Sequence, residues 1–375
     1  MYLDNLSLVN FKNYRQATMQ FTKGVNCFVG HNGAGKTNLL DAIYYLSFCK
    51  SYFNSFDNQN IFHDEDMFVI QGVFNRNEEQ EEIYCAQKRN DRKQFKRNKK
   101  DYGRLSEHIG LLPVVMISPT DIELIHEGSE VRRRFVDSIL SQIDPHYLEN
   151  LIEYNKALLQ RNAMLKRFFE TRQWDDTLMA IWDEQMIRTG NEIYKKRAEF
   201  TEEFTKLFEE VYKEISGSRE VASLQYNSQL AEGDFADLLN KATHKDRTVL
   251  YSTTGIHKDD WQFVKDGHPL KKFASQGQQK SFIIALKIAQ FHFEKKHFGF
   301  APIVLLDDIF DKLDEERVSY LINMVTGHEF EQVFITDTSR TRMQKLLEKK
   351  QKPFKIFPVS EGSVSEVTEP DLIQQ

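Results

Sequence analysis

The stretch Gly30-His31-Asn32-Gly33-Ala34-Gly35-Lys36-Thr37 constrains the fold more than any other part of this chain. It matches G-x-x-x-x-G-K-[ST] in full. An apolar run, GVNCFVG at 24–30, precedes it, and Leu39, Leu40, Ile43 and Leu46 follow on one helical face. Strand, glycine-rich turn and helix in that order form a phosphate-binding loop. The glycines let backbone N–H groups wrap an anion, and the helix N-terminus adds a favourable dipole. Lys36 is expected to reach the terminal phosphates of a nucleotide, and the Thr37 hydroxyl to coordinate Mg2+. Gly30, Asn32, Gly33, Ala34, Gly35, Lys36, Thr37 and Asn38 are therefore candidate nucleotide-binding residues.

Such a loop needs a second half, an apolar strand ending in acids. Pro302-Ile303-Val304-Leu305-Leu306-Asp307-Asp308 supplies it. Asp307 is the candidate magnesium ligand, and Asp308 the candidate general base that polarises the attacking water. Asn98-Lys99-Lys100-Asp101 matches the guanine-reading N-K-x-D pattern, but RKQFKR rather than a buried apolar strand precedes it. No D-x-x-G lies between Thr37 and Asn98, so a GTPase is disfavoured.

The two halves stand far apart in a chain of 375 residues, long enough for two domains or one core with a large insertion. The first part reads as strands: Leu3, Leu6, Leu8 and Phe11, then Tyr14, Ala17 and Met19, and later PVVMI at 113–117. In the middle, Leu151, Leu158 and Leu165 recur at near-heptad spacing, flanked by Leu148, Ile152 and Leu159. A second helix is expected over 174–216, about 64 Å long at 1.5 Å per residue. An antiparallel helical pair, or a bundle with a kink, follows. Strand character returns in EVASLQY, VLYSTT, WQFV and HPLKKF, with a turn at Asp266-Gly267. Strands and helices then alternate through PIVLL, 312–325, QVFIT and 340–350, and the polar tail from Pro358 is expected to fray. There is no internal repeat. The expected architecture is an α/β ATPase head in two parts, 1–118 and 249–375, split by a mainly helical arm at 119–248.

Composition narrows the partners. A hydrophobic content of 40% and a charged content of 28% suit a soluble protein with a sizeable core. Apolar runs are too short to span a bilayer, and Met1 to Tyr14 shows no secretory signal. Cys27, Cys49 and Cys85 lack metal-ligand spacing and are expected to be buried thiols in a reducing cytoplasm. A formal net charge of −6 excludes a uniformly basic coat, so any polyanion must meet local patches. One such patch is the run Lys88, Arg89, Arg92, Lys93, Lys96, Arg97, Lys99 and Lys100, interrupted only by Asp91 among acids. It is expected to form a hairpin that is either a solvated edge or a phosphate-contacting, salt-sensitive DNA surface. Arg132, Arg133 and Arg134 fit pairing with local acids equally well, and His257 reads as structural.

Ser275-Gln276-Gly277-Gln278 sits before an apolar helix, upstream of the Asp307 strand. That order, followed by Asp311-Lys312-Leu313-Asp314, resembles ABC-type ATPases. The chain is also similar to the RecF family of bacterial DNA replication and repair proteins, whose heads are ABC/SMC-like. The resemblance is carried by Leu6 to Tyr14, by Ser118-Pro119-Thr120-Asp121 with Glu130 to Asp137, by Thr254 to Asp260, and by the nucleotide motifs. It implies an SMC-like head without a long coiled coil. Such a protein binds ATP and Mg2+ and forms an ATP-dependent homodimer in which Ser275, Gly277 and Gln278 meet the γ-phosphate held by the partner copy. It also implies binding to gapped or single-strand/double-strand junction DNA. Partnership with RecR and RecO, an indirect role in RecA loading, and no membrane association complete the expectation. By the same resemblance Lys12 and Asn13 approach the nucleotide phosphates.

Three positions depart from the pattern. Phe53 stands about where the family carries an arginine, Asp337 stands where ABC proteins carry a switch histidine, and the second acid, Asp308, is not Glu. The shorter acid predicts slow turnover, suited to a switch. The alternatives are the nucleotide-binding subunit of a transporter, an ATPase-nuclease and a longer SMC-type tether. The 238-residue separation of Thr37 from Ser275 opposes the first. Only 67 residues follow Asp308, too few for a nuclease domain, and the arm is too short for a tether.

Overall fold

The computed structural model describes residues 1–218, 220–309, 315–350 and 352–365. Two compact units emerge, one made of residues 1–121 with 290–375, the other of residues 122–289. The stretch 249–289, which carries Ser275, belongs to the second unit.

The first unit begins with β1 (Tyr2–Phe11), β2 (Tyr14–Gln20) and β3 (Val25–Val29), followed by helix α1 (Lys36–Phe48). Then come β4 (Met67–Arg76), β5 (Glu79–Lys88), β6 (Gln94–Arg97), β7 (Lys100–Asp101) and β8 (Val114–Ile117). One sheet is antiparallel, in the order β2-β1-β4-β5-β6-β7. Its strands alternate buried and exposed residues, as a sheet with one covered face must. By contrast β3 and β8 are buried at every position. They belong to a second, largely parallel sheet, with which the buried side chains of α1 share one core.

Asn98 and Lys99 form the two-residue turn between β6 and β7, both with positive φ, 50° and 66°. That is the hairpin geometry that asparagine favours, and it accounts for the N-K-x-D coincidence.

The second unit opens with the short α2 (Glu123–His126), then α3 (Ser129–Ile143), α4 (Pro145–Thr171) and α5 (Asp176–Ser216). Asp144 caps α4 through the amides of His146 and Tyr147, and Pro145 starts it. Asp175 caps α5 at Leu178 and Gly217 ends it in a left-handed conformation. The expected start at 174 is thus moved by a cap. Helices α4 and α5 run antiparallel, as the cross-pairs Arg161–Asp183, Arg188–Glu153 and Lys196–Asp144 require.

The seam between them is not the leucine repeat. Leu151 and Leu158 are only half-buried, while Leu159 and Ile152 are exposed. Tyr147, Tyr154, Arg161 and Phe168, with Ala157 and Leu165, form the buried stripe, a seven-residue series out of phase with Leu151 and Leu158.

After α5 come β9 (Ala222–Asn227), α6 (Phe235–Val249), β10 (Asp260–Lys265), β11 (His268–Pro269), the turn α7 (Leu270–Phe273) and α8 (Gln276–Phe298). The expectation of a strand at VLYSTT is overturned. Helix α6, capped by Asp234 through the amides of Ala236 and Asp237, takes in only Val249 of that stretch; Leu250 closes it at φ 62°, and 251–254 are irregular chain. Phe235, Leu239 and Asp246 face inward at helical spacing, which outweighs the β-branched Thr248 and Val249 at its end. Similarly, HPLKKF is two strand residues followed by a helical turn.

The chain returns to the first unit with β12 (Ile303–Leu306), α9 (Glu315–Val325), β13 (Val333–Asp337), α10 (Arg340–Leu347), β14 (Phe354–Ser360) and β15 (Ser363–Val364). Sheet order is β15-β14-β3-β13-β12-β8, parallel except for the terminal β14–β15 pair. Through Val364 the polar tail is a strand and hairpin rather than frayed, because β14 finds a free edge beside β3. The expected motif Asp311-Lys312-Leu313-Asp314 lies outside the described residues. Among the described residues no helix is long and apolar enough to cross a membrane. All three cysteines are buried and free.

Candidate nucleotide site

The parallel sheet places three loops side by side. Strand β3 delivers Gly30, β12 delivers Asp307, and β13 between them delivers Thr336 and Asp337. Ligand sites in open α/β sheets lie at these carboxyl ends.

The phosphate loop curls on itself. Gly30 N–H donates to the Asp337 carbonyl at 3.2 Å, and Lys36 Nζ donates to the carbonyls of Gly30 and His31 at 2.9 and 3.0 Å. Gly33 and Gly35 have φ of 81° and 111°. A Cβ on Gly35 would lie 2.3 Å from Asn13 Nδ2, so this position excludes a side chain twice over. Asn32 and Gly33 are exposed, while Ala34 and Lys36 are buried.

Outside the loop, β1 and β2 brace it. Asn13 Nδ2 donates to the Ala34 carbonyl at 3.0 Å, Asn38 Nδ2 to Asn13 Oδ1 at 2.8 Å, and Tyr14 OH to the Gly35 carbonyl at 3.0 Å. Gly362 N–H, in the terminal hairpin, also donates to the Ala34 carbonyl at 3.3 Å. Lys12 pairs with the buried Asp41 at 2.5 Å and lies 5.5 Å above the Phe53 ring. Phe53 thus packs beneath an ammonium. Lys12, Asn13, Thr37, Asn38, Phe53 and Arg89 contribute to one cleft of about 570 Å³.

At the centre, Thr37 Oγ1 donates toward both carboxylate oxygens of Asp307, at 2.9 and 3.1 Å. Burial pushes the Asp307 carboxyl up, partly offset by the hydroxyls of Thr37 and Thr336. A carboxylate and a hydroxyl that converge in a buried setting are the hard oxygen donors Mg2+ takes. Among the described residues no cluster of three or more His, Cys, Asp or Glu could cage a metal alone.

Asp308 adopts a left-handed φ of 45°. The buried Asp337 carboxylate receives the Ser339 N–H at 2.6 Å and the Arg342 guanidinium.

Ser275, Gly277 and Gln278 start α8 in the second unit. Ser275 N–H donates to Gln278 Oε1 at 2.8 Å, Gln278 N–H returns to Ser275 Oγ at 3.3 Å, and Gln278 Nε2 donates to Glu220 Oε1 at 2.6 Å. Ser275 is exposed.

In the same unit the 254–260 segment is a structural hub. Arg197 Nη1 donates to Asp259 and to the Ile256 carbonyl, and Arg132 is bidentate on Asp260. His257 joins Tyr154 OH and the Ser252 carbonyl, and burial lowers its pKa to about 4.

The basic run separates into two kinds of residue. Lys93 is tied to Asp57 and the Cys49 carbonyl, Arg97 to the buried Glu81, and Lys96 to Asp101. Arg89 donates to the Glu65 carbonyl. Lys88, Arg92, Lys99 and Lys100 are exposed.

Sequence reasoning missed Asp41, Glu220, Thr336 and the hairpin at 360–364. None carries a local motif; each acts through a partner distant in sequence.

Known proteins bear on this geometry. Residues 2–365 match the family model described as RecF/RecN/SMC N terminal domain. The DNA replication and repair protein RecF of Phocaeicola vulgatus is 49% identical over 368 residues, covering 98% of each chain. RecF of Flavobacterium johnsoniae is also 49% identical, over 357 residues, covering 95% of this chain and 99% of its own. A solved structure of the recombination mediator protein RecF-ATP in the RecFOR pathway superposes with a TM-score of 0.89 at 29% identity, covering 98% of each chain. The Smc head domain of Pyrococcus furiosus shares the fold, with a TM-score of 0.57 at 20% identity over 98% of this chain and 96% of its own. The chain belongs to the RecF family of DNA replication and repair proteins, with the ABC/SMC-like ATPase head that its sheets describe.

Proposed function

We propose that this protein is an ATP-driven, DNA-binding switch of recombinational repair and replication, acting in the cytoplasm. The observation that carries the reading is the convergence of Lys36, Thr37 and Asp307 at the carboxyl ends of β3 and β12. The RecF relative solved with ATP supports a nucleotide there.

In this reading Lys36 exchanges its loop carbonyls for the β- and γ-phosphates, and the loop amides from Gly30 to Asn38 wrap the chain of phosphates. Asn13 holds the loop in shape, and Lys12 and Arg89 line the cleft into which the rest of the nucleotide extends. Thr37 and Asp307 would hold Mg2+, which supplies charge neutralisation at the phosphates. Asp308 orients and deprotonates the attacking water. Ser275, Gly277 and Gln278 complete the site of a second copy, so ATP joins a two-fold homodimer. That dimer binds gapped or junction DNA without sequence preference and works with RecR and RecO toward RecA loading.

Mass in solution, measured with and without ATP and gapped DNA, tests this for wild type and Ser275→Arg. Wild type should double in mass with ATP, and the variant should bind ATP yet stay monomeric. A wild type that binds ATP and remains a monomer with DNA present overturns the cross-copy model.

A further inference from the structure

The buried Thr336, on β13, links both acids of the site. Its Oγ1 donates to Asp307 Oδ1 at 2.9 Å and accepts the Asp308 backbone N–H at 2.9 Å. A threonine hydroxyl has one proton and two lone pairs. Here the proton fixes the carboxylate that also receives Thr37, and a lone pair fixes the amide of a residue at φ 45°, a conformation that costs a non-glycine residue energy. Strand register brings them together, since Leu306 lies opposite Ile335 in the parallel pair and the next residues of each strand meet. We propose that Thr336 is a positioning residue for ATP hydrolysis. One hydroxyl orients the magnesium-binding carboxylate of Asp307 and holds the backbone that aims Asp308.

This rests on the ATPase reading above. Its chemistry separates the hydroxyl from the volume around it. Thr336→Val keeps the shape and removes both hydrogen bonds, whereas Thr336→Ser keeps the hydroxyl and gives up a methyl group. A purely packing role predicts the reverse ranking.

The experiment uses the full chain as wild type, Thr336→Val, Thr336→Ser, Asp308→Asn and the Thr336→Val/Asp308→Asn double variant. Affinity for a fluorescent ATP analogue is titrated with Mg2+ and in EDTA, and single-turnover hydrolysis is followed alongside. Thr336→Val should slow hydrolysis about 10–100-fold, the scale of a hydrogen bond to a charged group, and should lose most of the gain in nucleotide affinity that Mg2+ gives. Its affinity in EDTA should match wild type. Thr336→Ser should restore both readouts, and the double variant should lose less than the product of the two single losses, because only the share that Thr336 exerts through Asp307 remains once the base is gone.

Hydrolysis by Thr336→Val at the wild-type rate, a Thr336→Ser as slow as Thr336→Val, or multiplying effects in the double variant would each overturn the proposal. If Thr336→Val does not fold, Thr336→Ala carries the same comparison against Thr336→Ser. Asp308→Asn hydrolysing like wild type would instead sink the ATPase assignment itself, leaving the two failures distinguishable.

Discussion

Thr37 Oγ1 touches both carboxylate oxygens of Asp307, two residues separated by 270 positions in the chain. Between them in sequence lies the whole second unit, so the site forms only when the chain returns to its starting sheet. Hydrolysis should accordingly fail in two separable ways, through phosphate binding or through chemistry.

Asp308→Asn tests the second. It removes the base while leaving Lys36 and Thr37 untouched. Hydrolysis should fall by about 10²–10⁴-fold, the typical worth of a positioned base, with nucleotide affinity nearly unchanged. Wild type itself should turn over well below ~10 s⁻¹, the ordinary enzyme median. A wild-type rate far above that value would remove the argument that the short acid suits a switch.

The basic run offers a sharper division than its composition suggested. Replacing Lys88, Arg92, Lys99 and Lys100 by alanine should flatten the salt dependence of DNA binding, by about 0.7–0.9 in log–log slope for each phosphate no longer neutralised. Lys93→Ala should instead destabilise the fold by about 1–3 kcal/mol, because it strands Asp57 and the Cys49 carbonyl. An unchanged salt slope in the quadruple variant would dismiss the patch as a DNA surface.

Acid should weaken the protein through its buried histidines. Burial lowers both His108 and His257 from 6.5 to about 4. The unfolded chain therefore binds their protons first, and native stability is whole above pH 6.5 and declines as pH falls toward 4. For the fully buried His108 the loss over that window reaches roughly 3 kcal/mol. Thermal denaturation at pH 7.5 and 5 should show the decline, and His108→Gln should reduce it. An identical pH slope in that variant would assign the loss to carboxylates instead.

Arg197→Met should unfold the second unit or lower its stability by about 3–5 kcal/mol, since Asp259 and Asp137 lose their shared guanidinium. Circular dichroism during denaturation would register this, and a near-neutral outcome would mean the acids find protons cheaply.

How much of this was legible follows from how far each signal reaches. The phosphate loop is written in eight consecutive residues because backbone shape and chemistry coincide there. PIVLL with its acids was legible for the same reason. Helix α6 was not, because its start depends on the Asp234 cap, while VLYSTT, which begins at its last residue and runs on as irregular chain, is locally strand-like. The leucine repeat suggested an apolar seam in the arm, yet Arg161 and Arg197 sit within it, and no periodicity of apolar residues can announce a buried arginine. Thr336 was invisible for a different reason. Its partners are 29 and 28 residues away in sequence and become neighbours only through the pairing of β12 with β13.

Those arginines have a mechanical consequence. Two antiparallel helices joined by an apolar seam can shift past one another, trading one set of greasy neighbours for the next. Here a shift of one turn, about 5.4 Å, would pull Arg161 of α4 away from Asp183 of α5, and Arg197 of α5 away from the Tyr147 hydroxyl of α4. Each guanidinium would then lose a partner in a dry interior. The arm is therefore geared rather than greased: it resists sliding, and a push on its tip is delivered to its base as the tilt of a rod.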